Sequence, residues 1–144
     1  MKNVIVSNGT AELPILEEII PYIDAMNIDL KGFQDSYYRN VLSGDRDMVM
    51  AFIREAVKHC HVELTTLIVP GENDTEEEMR QISGFIAGLT DKEGRCVGRE
   101  IPLHISRFFP RFKMQDKKAT DVDLIYRLAD VARERLKYVY TGNC

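Results

Sequence analysis

Short β-branched runs alternate along the chain with longer segments whose apolar residues recur at helical spacing, and few folds accept that rhythm. Val4-Ile5-Val6 is a strand that stops at Ser7-Asn8-Gly9-Thr10, a turn signal. Glu12 to Ile20 reads as a short helix closed by Pro21, and Ala25 to Lys31 as a second strand ending at Gly32. A short helix over Gln34 to Asn40 precedes Ser43-Gly44-Asp45, which opens a longer one to His59. There Val49, Phe52, Ile53, Ala56 and Val57 share a face. Val62 to Val69 is a third strand, closed by Pro70-Gly71. Thr75 and Glu78 predict a capping box for a helix to about Leu89. A polar loop from Asp91 to Glu100 leads to a fourth strand, Pro102 to Arg107, and a long connection follows over Phe108 to Lys118. Thr120 or Asp121 caps a last helix, and Tyr138-Val139-Tyr140 is a final strand.

Strands separated by helices predict a parallel α/β sheet with right-handed crossovers, either doubly wound or part of a barrel. In both forms ligands gather at the carboxyl ends of the strands. Those ends are conspicuously polar or turn-forming here: Ser7-Asn8-Gly9, Asp29 to Lys31, Pro70-Gly71-Glu72, Ser106-Arg107 and Thr141-Gly142-Asn143. The chain opens almost on a strand and stops soon after another, and a closed barrel needs more strands. The expectation is therefore a piece of a larger fold.

Within the second strand, Asn27, Asp29 and Lys31 point one way while Ile28 and Leu30 point the other. A strand with an apolar back and an acid and a base in front packs helices behind and lines a polar site ahead. Either the charges pair internally or something binds there. In the fourth strand, parity likewise turns His104 and Ser106 toward the polar side, against Leu103 and Ile105.

With 144 residues one domain is expected, and 44% hydrophobic and 29% charged residues are ordinary for a globular protein. The net charge of −4 argues against a nucleic-acid or membrane-surface role. No apolar run approaches the roughly 18 residues a membrane span needs, and the amino terminus lacks a signal-peptide pattern. Cys60, Cys96 and Cys144 are scattered and give neither a disulfide framework nor metal-ligand spacing. A reducing cytoplasm is the simplest home. His59-Cys60-His61 reads as a basic helix end plus a buried thiol, and Phe108-Phe109-Pro110-Arg111-Phe112-Lys113 as a lid over the rim or a partner surface.

Taken in order, Ser7-Asn8-Gly9-Thr10, Asn27 to Phe33, Ile68 to Asp74 and His104 to Pro110 closely resemble the radical S-adenosylmethionine enzymes. The nearest branch is the pyruvate formate-lyase activating enzyme type, and within it proteins associated with Memo-like partners. The resemblance implies an incomplete (β/α)6 TIM-like barrel, of which residues 1–144 form the C-terminal part: strands three to six plus a trailing strand. It implies S-adenosylmethionine and a [4Fe–4S] cluster as cofactors, reductive cleavage of the sulfonium, and hydrogen abstraction from a substrate. That substrate would be a protein of the glycyl-radical type or a small molecule.

Carried over by position, Asp29 and Lys31 would contact the ribose and methionine parts of the cofactor, with Ser7 and Asn8 on the rim beside them. Thr65 falls where the activase has a cofactor-holding arginine. Arg107 falls near the family's adenine-side histidine, whereas strand parity favours His104 and Ser106. Val6 stands where the activase has a cation-binding acid. The Cys-x3-Cys-x2-Cys loop and the Gly-Gly-Glu segment of such enzymes are absent, so no residue here is a cluster ligand and the chain alone is expected to be inactive. The alternatives are an aldolase-like lyase using Lys31 as a Schiff-base nucleophile, or a non-catalytic half-barrel that binds a partner. An exposed barrel edge would also allow a homodimer.

Overall fold

The computed structural model of the chain describes residues 1–111 and 116–144. Five strands, β1 (Val4–Ser7), β2 (Ala25–Asp29), β3 (His61–Ile68), β4 (Leu103–Arg107) and β5 (Val139–Gly142), pair in chain order, each parallel to the next. Between them run α1 (Leu13–Ile19), α2 (Asp35–Asn40), α3 (Arg46–Val57), α4 (Glu76–Ala87) and α5 (Val122–Arg133). Strands that never reverse their order, joined by crossovers of one hand, put every crossover helix on the same side of the sheet. A doubly wound sheet needs a reversal point and this one has none, so the chain is a section of TIM-like barrel wall.

The two faces differ as that topology requires. Met26, Ile28 and Leu30 of the β2 segment, Val62, Leu64 and Ile68 of β3, and Leu103 and Ile105 of β4 are buried against the helices. Phe52 and Ile53 of α3, Met79, Ile82 and Ile86 of α4, and Ile125, Leu128 and Ala132 of α5 meet them in one core. Removing each large side chain from water contributes about 1.5–3 kcal/mol. Among the described residues no helix covers the opposite face, and Val6 there is 77% exposed.

Helix starts follow the sequence closely. Asp45 caps α3, its Oδ1 accepting from the N–H groups of Asp47 (2.9 Å) and Met48 (3.2 Å). Asp121 caps α5 through the N–H of Asp123, which settles the choice left between it and Thr120. Thr120 is instead fully buried, its hydroxyl donating to Ile68 O and accepting from Phe108 N. Other bounds shift by a residue or two. The first helix ends at Ile19 and continues as a 3₁₀ turn, Ile20–Tyr22, because Pro21 has no N–H to donate to the helix. The final strand is Val139–Gly142, two residues beyond the predicted end at Tyr140.

The capping box forms only in half. Thr75 Oγ1 accepts from Glu78 N (3.1 Å), but the Glu78 carboxylate does not turn back to Thr75. It reaches across to the loop after β2, where Oε1 accepts from Phe33 N (2.8 Å) and Gln34 N (3.2 Å).

Candidate functional site

Parallel register places side chains from neighbouring strands in rows, and one row spans the open face. Asp29 pairs in register with Thr65, Thr65 with His104, and His104 with Tyr140. A second row, Asn27 and Glu63, lies toward the amino ends of these strands. Ser106 sits between Leu67 and Gly142 toward the carboxyl ends. The open face is therefore polar across its middle and faces solvent.

These groups are partly wired to one another. The Lys31 ammonium lies 3.4 Å from Asp29 Oδ2, with 39% and 37% of the two side chains exposed. Thr65 Oγ1 donates to Asn27 Oδ1 at 2.8 Å. His104 Nε2 lies 3.3 Å from Glu63 Oε1, and its ring stacks on Tyr140 with centroids 5.3 Å apart. An ion pair this exposed adds little to stability, about 1 kcal/mol at most. Its carboxylate and ammonium keep free hydrogen-bonding capacity toward solvent or a ligand.

Asp29, Lys31, Thr65, His104 and Ser106 thus come together on one face. Ser7 and Arg107 do not join them. Ser7 pairs in register with Ile28, so its parity is that of the helix side, and its Oγ accepts from Gly9 N within its own turn. Asn8 is spent similarly, its Oδ1 accepting from Thr10 N (2.9 Å). Arg107 shares the parity of Ile105 and Leu103. Its Nε donates to Thr120 O, and its guanidinium lies 4.6 Å over the Phe109 ring. Arg107 instead edges a cleft of about 320 Å³ with Leu67, Phe108, Phe109, Arg111 and Asn143, at the carboxyl ends of β3 to β5. Phe112 and Lys113 of the aromatic, basic segment lie outside the described residues.

Sequence reasoning missed the residues that hold Lys31. Asn73, read as part of a tight turn, is fully buried. Its Nδ2 donates to Lys31 O (2.6 Å) and Leu67 O (2.8 Å), while its Oδ1 accepts from Val69 N (2.7 Å). Tyr38 Oη accepts from Lys31 N (2.9 Å), and Thr66 Oγ1 donates to Leu30 O (2.7 Å). Glu78, only 3% exposed, secures the next two N–H groups of the loop. The burial that admits these contacts also pushes the two tyrosines up. Tyr37 reaches about 12, from burial first and then from the Glu72 and Glu78 carboxylates. Tyr38 rises chiefly through burial, against the pull of the Lys31 N–H.

The three thiols are free. Cys60 precedes the amino end of β3 and is half-buried, which pushes its thiol up. Cys96 is exposed in the loop before β4, and Cys144 follows β5 at the opposite end of the sheet. Among the described residues no three His, Cys, Asp or Glu side chains converge as a metal-holding group. His59, beside Cys60, pairs through Nε2 with Glu55 Oε1 at 2.9 Å. No described helix is long and apolar enough to cross a membrane.

No family profile matches the chain. It is 38% identical over 145 residues to an uncharacterized protein of Methanocaldococcus jannaschii, covering 99% of this chain and 40% of that protein. The chain thus spans about two-fifths of that relative's length. Among solved structures, it superposes on a domain of pyruvate-formate lyase-activating enzyme from Bacteroides vulgatus. There the TM-score is 0.80 at 12% identity, over 98% of this chain and 81% of that one. A radical SAM methyltransferase from Sphaerobacter thermophilus matches at a TM-score of 0.69 and 14% identity, over 95% of this chain and 39% of the other. TYW1 with a lysine-pyruvate adduct bound matches at 0.58 and 20%, over 94% and 41%. At these identities the likeness is one of fold alone.

Proposed function

We propose that this chain is the nucleoside-binding wall of a radical S-adenosylmethionine enzyme of the glycyl-radical activase type. It would correspond to strands three to six and the trailing strand of the family's incomplete barrel. The carrying observation is the convergence of Asp29, Lys31, Thr65, His104 and Ser106 on the open face, from motifs that resemble that family in order. The 40% coverage of the archaeal relative supports a role within a longer protein.

The residues present fit S-adenosylmethionine. The Asp29 carboxylate would accept hydrogen bonds from ribose hydroxyls, and the Lys31 ammonium, 3.4 Å from it, would pair with the methionine carboxylate. Thr65 and Ser106 add hydroxyls, and the His104 ring, already stacked on Tyr140, offers an aromatic surface beside them. S-adenosylmethionine, when bound and reductively cleaved, supplies the hydrogen-abstracting chemistry; the protein supplies orientation. The residues do not fit a [4Fe–4S] cluster, since Cys144 lies at the opposite end of the sheet from Cys60 and Cys96. Electron delivery is therefore not assigned to this chain. A protein substrate of the glycyl-radical type is the partner this reading proposes.

Calorimetric titration of S-adenosylmethionine, and of the inert S-adenosylhomocysteine, into the 144-residue chain tests the reading. Both should bind, and Asp29→Asn and Lys31→Met should each weaken binding about tenfold, equivalent to 1.4 kcal/mol. Absence of binding, or variants that bind like the wild type, would refute it. Borohydride trapping of a keto acid on Lys31 would instead favour a Schiff-base lyase.

A further inference from the structure

Side-chain hydrogen bonds from Tyr38, Thr66, Asn73 and Glu78 converge on the few backbone atoms that carry Lys31. Tyr38 Oη takes the Lys31 N–H and Asn73 Nδ2 meets the Lys31 carbonyl. Thr66 meets the Leu30 carbonyl, and Glu78 Oε1 takes the N–H groups of Phe33 and Gln34. Glu78 and Asn73 come from the β3–α4 region, more than forty residues along the chain. Both are buried, at 3% and 0% exposure. Burying a carboxylate is costly, and a helix cap does not need it: Thr75 already caps α4 without help from this side chain. The carboxylate's satisfied partners lie instead in the loop that follows Lys31.

Gly32 shows how closely the arrangement is built. A Cβ there would lie 3.0 Å from Glu78 Oε1 and 3.0 Å from the Tyr37 ring. To admit it, the carboxylate and the ring would each have to give by a few tenths of an ångström.

We propose that Asn73 and Glu78 are positioning residues, which lock the Lys31–Gln34 backbone so that the Lys31 ammonium is held beside Asp29 on the ligand face. What the pair binds rests on the reading given above; the lock itself does not. Ligand binding then proceeds on a preset pair, without ordering a loop at the moment of contact.

Two measurements on the intact chain test this. Competitive acylation with acetic anhydride, read by mass spectrometry, reports the accessibility of Lys31 against the exposed Lys92 and Lys118. Asn73→Asp, which keeps the volume but sets an oxygen against two carbonyls, and Glu78→Ala should each raise Lys31 labelling about threefold or more, as release of a part-exposed ion pair would. Glu78→Gln retains the accepting oxygen and should label like the wild type. Gly32→Ala keeps both side chains but crowds the Glu78 carboxylate and the Tyr37 ring, and should raise Lys31 labelling in the same direction, which covers the case in which Glu78→Ala fails to fold. The second measurement is S-adenosylhomocysteine affinity, which should fall in the same variants and recover in Glu78→Gln.

Unchanged labelling in Asn73→Asp and Gly32→Ala would overturn the proposal, as would a Glu78→Gln variant that labels like Glu78→Ala. If the wild type binds no nucleoside, the functional reading fails, and labelling alone decides the lock.

Discussion

Lys31 and Asp29 each keep more than a third of their side chain exposed, although their charges lie 3.4 Å apart. Desolvation is slight at that exposure, so Asp29→Asn or Lys31→Met should change unfolding free energy by less than about 1 kcal/mol, measured by urea denaturation. Function without a stability cost is what a ligand-facing pair predicts. The buried tyrosines behave oppositely. The Tyr37 hydroxyl is pushed from 10.0 to about 12, chiefly by burial. Its neutral form is favoured by the fold, so this stability is complete below pH 10.0 and is lost as pH climbs toward 12. Tyr37→Phe should leave stability at neutral pH nearly unchanged and extend the native range further into alkali, as followed by circular dichroism. The alternation that turns Asp29 and Lys31 away from Ile28 was readable from the sequence, because strand parity is local. Asn73 and Glu78 were not, because a buried amide and a capping glutamate look the same until their partners, some forty residues away in sequence, are known.

Elements were legible where apolar spacing and cap residues agreed, as in α3 behind Asp45 and α5 behind Asp121. The loop from Asp91 to Glu100 looked merely polar, yet it is anchored. Thr90 and Cys96 bridge across it, and a 3₁₀ turn, Gly98–Glu100, presses on the end of α4. Only glycine fits there, since a Cβ on Gly98 would collide with the carbonyl oxygen of Ile86 and with Ala87. Neither backbone can yield without pulling α4 from the core. Gly98→Ala should therefore destabilise the protein by about 2 kcal/mol or more, visible as a lower urea midpoint at unchanged slope. Nothing in the local sequence marks that glycine, because its neighbours are Ile86 and Ala87 at the end of the preceding helix.

At the scale of the whole molecule, strand rhythm forecast the α/β class and left the winding open; the unreversed order of β1 to β5 decides it. That order leaves two sheet edges, and β1 presents Val4 and Val6, both largely exposed, beside its unpaired backbone. Such an edge recruits strands. Sedimentation velocity of the isolated chain should show concentration-dependent association, and Val6→Lys should suppress it with little change in thermal stability. A monomer at all concentrations would argue against a sticky β1 edge.

The same unreversed order bears on how the protein is made. Each strand after β1 pairs with the one synthesised just before it, so each later βα unit emerging from the ribosome finds its docking edge already waiting. No strand has to be held in reserve for a later arrival. Vectorial growth of this kind lets the wall assemble during translation, one unit upon the last.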